Sequence, residues 1–91
     1  MISFYFFKKL HSFLEILEKN QCVVFFGEKD NSFDVIERGV IYVRVFYRKS
    51  DLEKIRALFN GFCQDNFKFV ELISIHDNIL KFKWTFGRID G

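Results

Sequence analysis

Proline is absent from this chain, and alanine occurs only once, at Ala57. Without proline there is no polyproline segment and no stiff Pro-rich spacer. The five glycines are scattered, so there is neither a Gly-rich phosphate loop nor a flexible Gly/Ser linker. Cysteine is scarce too. Cys22 and Cys63 are too few for a disulfide scaffold, and each sits among apolar residues, where a reduced thiol behaves as a small hydrophobe. Long apolar runs are missing as well: the longest, Phe4 to Phe7 and Cys22 to Phe26, fall far short of the roughly 20 residues that cross a bilayer. The apolar start has no basic segment before it and is interrupted by Lys8, Lys9 and His11, which does not match a secretory signal. A cytoplasmic protein with no membrane partner is therefore expected. The net charge of +2 is too small to argue for a polyanionic partner from bulk electrostatics.

What the chain has in excess is phenylalanine, at 14 of 91 positions. Phe, Lys, Ile and Asn use A/T-rich codons while Pro and Ala use G/C-rich ones, so base composition accounts for part of this bias. It does not account for where the rings fall. With 49% hydrophobic and 29% charged residues the composition is globular. The length suits a single domain over residues 1–91, which would bury about 60 to 65% of its unfolded surface.

From Phe4 to Lys19 the apolar residues Phe6, Phe7, Leu10, Phe13, Leu14 and Leu17 recur at three and four spacing, which predicts a helix with one buried face and Asn20 as its left-handed terminator. The period then changes to two. Residues 21–27, 32–36 and 40–48 read as strands, the last two joined through Glu37, Arg38 and Gly39 in a register that pairs Val35 with Ile41 and Phe33 with Val43. Ser50 and Glu53 have the spacing of a capping box, opening a second helix whose stripe is Leu52, Ile55, Leu58, Phe59 and Phe62 and which fades at Asp65 and Asn66. A two-residue turn at Asp77 and Asn78 then pairs Ile75 with Leu80, Ile73 with Phe82 and Phe69 with Phe86. That register leaves one misfit, Glu71 opposite Trp84. The fold expected is α+β, in the order α-β-β-β-α-β-β: one five-stranded antiparallel sheet with both helices packed on one face.

Placing the apolar partners on the helix side leaves Val23, Phe25, Val40, Tyr42, Arg44, Phe46, Arg48, Val70, Leu72, Ser74, Lys81 and Lys83 for the other face. Aromatic and basic residues alternate along it, and its apolar members would form a patch of several hundred Å², roughly the size that marks an interaction surface. Phe25, Tyr42, Arg44, Phe46, Arg48, Leu72, Lys81 and Lys83 are the expected partner-binding residues. Rings and guanidinium groups are enriched where proteins bind proteins, so the expected partner is another protein. A second copy of the chain, closing the same face as a homodimer, and single-stranded nucleic acid, with rings on bases and cations on phosphates, are the alternatives.

Catalytic chemistry has little support. The chain holds no HExxH and no CxxC. His11 and Glu15, one helical turn apart, fit a solvated helix face, His76 fits a hairpin shoulder, and the cysteines and histidines lack the short spacing that anchors zinc. No enzyme, metal or cofactor is expected. A small binding protein of inhibitor or adaptor type, as in toxin immunity proteins and anti-CRISPR proteins of mobile elements, is the function class that size and composition suggest.

Overall fold

The computed structural model describes residues 4–27 and 40–85, with side chains from Lys8 onward in the first of these segments. Helix α1 is Phe4–Lys19, the range its periodicity predicts. Leu10, Phe13, Leu14 and Leu17 form its buried stripe. Its end is a Schellman motif. The Cys22 N–H donates to the Leu17 carbonyl at 3.1 Å and the Gln21 N–H to the Glu18 carbonyl at 3.0 Å. The left-handed residue is therefore Gln21, with φ 63°, and not Asn20. Asn20 instead turns its side-chain amide back to the Ile16 carbonyl at 2.7 Å.

Strand β1 is Val23–Phe26 and β2 is Val40–Phe46. They pair antiparallel, Val23 opposite Phe46 and Phe26 opposite Val43. A turn of 3-10 helix, Lys49–Asp51, leads into α2, Leu52–Asp65. The capping box expected at Ser50 does not form: the cap position falls on Asp51, which makes no side-chain capping bond, because the 3-10 turn enters the helix ahead of it. Strands β3, Val70–His76, and β4, Ile79–Thr85, close the described fold through the Asp77–Asn78 turn. Both turn residues have positive φ, 51° and 64°, as a two-residue hairpin turn of primed type requires.

The sheet has four strands among the described residues, in the order β1-β2-β4-β3, where the sequence predicts five. The reason is geometric. Val43 already has Phe26 on one side and Phe82 on the other, so the expected pairing of Phe33 with Val43 has no open edge of β2 to use. The segment 32–36 assigned to that strand lies outside the described residues, as does Phe86. The α+β class and the antiparallel sheet are as expected.

Both helices cover one face of this sheet. Phe13 of α1 and Phe59 and Phe62 of α2 meet Phe82 at ring distances of 6.0, 5.3 and 6.0 Å, and Phe62 stacks on Trp84 at 5.2 Å. Ile41, Val43, Val45, Leu80, Phe82 and Trp84 present this face, all nearly or fully inaccessible. The core thus sets a cluster of rings among aliphatic side chains of both helices and the sheet.

The last hairpin departs from its expected register at one point. Ile75 faces Leu80 as predicted, but a β-bulge between Leu72 and Ser74 inserts Ile73. Past the bulge every residue of β3 changes face relative to the prediction: Leu72 faces Phe82, Glu71 faces Lys83 and Val70 faces Trp84. The carboxylate that would have lain opposite the indole is moved to the other side of the sheet.

Candidate functional site

Alternation along β2 and β4 sends Val40, Tyr42, Arg44 and Phe46, with Ile79, Lys81, Lys83 and Thr85, to the face away from the helices. β1 adds Val23 and Phe25, directly across from Phe46 and Arg44. Six of the eight residues expected to bind a partner, Phe25, Tyr42, Arg44, Phe46, Lys81 and Lys83, are therefore brought to one surface. Arg48 is not. It lies beyond the end of β2, where its Nε donates to Asp51 Oδ2 at 2.9 Å at the start of the 3-10 turn. Leu72 is not either: the bulge puts it in register with Phe82 on the helix side, at the sheet edge, where it remains exposed.

The centre of this surface is an aromatic and cationic stack. Phe25 meets Phe46 edge to face, centroids 5.3 Å apart at 84°, and the Arg44 guanidinium lies over the Phe25 ring at 5.7 Å. Exposure is uneven. Phe25 is 45% exposed, whereas Arg44 is only 8% exposed, and Tyr42, Phe46, Lys81 and Lys83 are half-buried. The surface is thus less open than alternation alone predicts, with its free apolar area concentrated at β1, where Val23 is exposed as well.

Beside the stack lies a hollow of about 290 Å³ lined, among the described residues, by Gly27, Tyr42, Val43, Arg44, Ile73, Lys81 and Phe82. Gly27 closes β1 with φ 95° and donates its N–H to the Tyr42 carbonyl at 2.7 Å, which fixes the rim. Ile73 reaches the hollow only because the bulge projects it there. Sequence alternation assigned it to the core, and the one signal that could have found it was the Glu71 misfit two residues earlier.

Lys83 and Glu71 form an ion pair at 2.8 Å across β3 and β4. The hydrogen bond from Lys83 to Glu71, followed by the charge of that carboxylate, holds the Lys83 pKa above the ordinary lysine range. One of the two lysines expected to meet a partner is in this way already matched within the chain.

A larger hollow, about 520 Å³, is lined by Lys8, Lys9 and Ser12 of α1 and by Asp65 and Asn66 at the end of α2. Its charges are mixed and no aromatic ring joins them among the described residues. His11 pairs with Glu15 at 2.9 Å and His76 with Asp77 at 3.0 Å, both on exposed surfaces. Among the described residues no three His, Cys, Asp or Glu side chains are grouped to hold a metal ion, and no helix is long and apolar enough to cross a membrane. Cys22 and Cys63 are free thiols, and burial raises the pKa of both.

No known protein family, curated protein or solved structure matches the chain.

Proposed function

We propose that the chain is a small protein-binding module, an inhibitor or adaptor that acts by covering its target through the helix-free face of the sheet and carries out no chemistry of its own. One observation supports this above the others: Phe25 is nearly half exposed yet already held, edge-on by Phe46 and from above by Arg44. A ring fixed before binding loses little side-chain freedom on contact, which is the property of an interface anchor. The Glu71–Lys83 pair weighs against nucleic acid, because it neutralises one of the cations that would follow a phosphate backbone. The free thiols fit a cytoplasmic site of action.

Affinity capture from the source cell, with the parent chain and with Phe25→Ala side by side, tests this reading. A protein retained by the parent and lost with the variant is the expected result. Identical protein profiles for both, or the recovery of nucleic acid in place of protein, would reject it.

A further inference from the structure

Among the described residues β1 and β3 are the two outer strands of the sheet, and they present their free edges differently. β3 is interrupted by the bulge at Ile73 and carries Glu71, two features that obstruct the addition of a further strand. β1 has neither. It is unbulged, uncharged and built only of valine and phenylalanine, with Val23 and Phe25 exposed on the helix-free side and Phe26 exposed on the helix side. Its hydrogen-bonding phase is fixed at one end. Gly27 donates its N–H to the Tyr42 carbonyl, so by alternation Phe25 and Val23 also turn their backbone groups toward β2. Val24 and Phe26 therefore point theirs outward.

We infer that two copies of the chain associate by antiparallel pairing of β1 with β1, centred on Phe25. This is the register that uses both outward residues of each strand: Val24 of one copy meets Phe26 of the other, and Phe26 meets Val24, each pair exchanging both backbone bonds. Phe25 then faces Phe25 of the second copy in the closer, non-hydrogen-bonded position. A two-fold centred on Val24 would call instead on Cys22, whose N–H is already given to the Leu17 carbonyl at the end of α1. A second copy is the fitting occupant because the edge is its own complement. It has no charge to repel across the two-fold, and the apolar groups exposed on one copy meet the same groups on the other. The axis stands perpendicular to the sheet, so both helix layers lie on one side and both helix-free faces on the other. The pairing thus goes beyond the target-binding reading and does not depend on it. A strand this short makes a contact well below the roughly 1,600 Å² of a standard interface, so the dimer should exchange with monomer.

Sedimentation equilibrium of the full chain from about 10 µM to about 1 mM tests the inference. The mass should rise with concentration from 11.0 kDa toward twice that value. Phe26→Pro removes an outward N–H and spares the bonds from β1 to β2, so this variant should stay monomeric. Oxidation of two cysteine variants, with the parent as the blank, reads the register and decides the matter even if the proline variant does not fold. Phe25→Cys should give a disulfide-linked dimer, because the facing Cα atoms of a non-hydrogen-bonded pair lie within disulfide reach. Val23→Cys should not, because the two copies of that position lie roughly 14 Å apart along the paired strands. Cross-linking of Val23→Cys as readily as Phe25→Cys, or a folded Phe26→Pro chain that still dimerises, would overturn the inference. A mass of 11.0 kDa at every concentration would overturn it too, and would leave the edge of β1 to a strand of the target with the target-binding reading intact.

Discussion

The rings of Phe13 and Phe62 lie face to face, centroids 4.0 Å apart and 4° from parallel, so that α1 and α2 are joined by a ring stack that rests on the sheet. Phe62 continues the stack onto Trp84, and Phe69 closes on the same indole at 5.7 Å. Phe62 is thus the side chain that ties both helices to β4.

Phe62→Ala should cost about 3 to 5 kcal/mol, the range for deleting a buried aromatic. A domain of this kind has only about 5 to 15 kcal/mol of stability in total, so the variant should lose a large share of it. Urea denaturation followed by circular dichroism measures this. A midpoint near the parent's would mean that the stack is not what joins the layers.

The two residues of the Phe25–Arg44 contact should respond in opposite ways to truncation. Phe25→Ala, at an exposed position, should leave stability nearly unchanged and remove binding. Arg44→Ala, at an 8% exposed position, should lower stability by about 1 to 3 kcal/mol, because the buried stem of the side chain is lost along with its charge. Paired melting curves decide the matter, and an Arg44→Ala melt that coincides with the parent's would show that this residue is not built into the fold.

Glu71 should govern the titration of Lys83. The folded pKa of Lys83 is raised by the Glu71 hydrogen bond and charge, so the contribution of the pair is fully present below the unfolded lysine pKa of about 10.4 and is lost as pH rises through the folded value. Nitrogen-detected NMR of the lysine ammonium groups should show Lys83 titrating later than the other lysines. In Glu71→Gln that delay should disappear, with little change in the melt at neutral pH, since the pair is solvent-exposed. An unchanged Lys83 titration in the variant would contradict the pairing.

Gln21→Gly should stabilise the chain by about 0.5 to 1 kcal/mol. Gln21 occupies the left-handed position of the Schellman motif, where a Cβ carries a steric cost that glycine avoids. Part of that gain is offset by the greater freedom of glycine in the unfolded state. A shift of the urea midpoint to higher concentration at constant slope is the expected result, and a shift to lower concentration would count against the motif.

The elements that were legible in the sequence are those decided locally. The limits of α1 follow from its apolar spacing, and the Asp77–Asn78 turn from two residues that tolerate positive φ. What was not legible depends on partners distant in the chain. Phe26 takes the edge of β2 that the sequence offered to Phe33, a competition between strands that neither segment reveals alone. The bulge at Ile73 has the same origin. Shifting the register gives Glu71 a cation in place of an indole and puts Val70 against the core, and the carboxylate set opposite Trp84 was its only trace in the sequence. For the candidate site, alternation grouped Phe25, Tyr42, Arg44, Phe46, Lys81 and Lys83 correctly. It could not give their exposure, because burial of Arg44 is a property of what surrounds the strand and not of its period.

Trp84 is the only tryptophan of the chain, fully buried at the point where α2, β4 and Phe69 converge, and on the opposite side of the sheet from the candidate binding face. Its fluorescence is therefore an internal gauge of the core that a ligand on the other face does not touch. Blue-shifted emission certifies that a variant has its aromatic layers assembled, and a red shift toward the water-exposed indole signals that they have come apart. Each surface substitution can thus be sorted, in the same cuvette and without a label, into one that loses its partner and one that loses its structure.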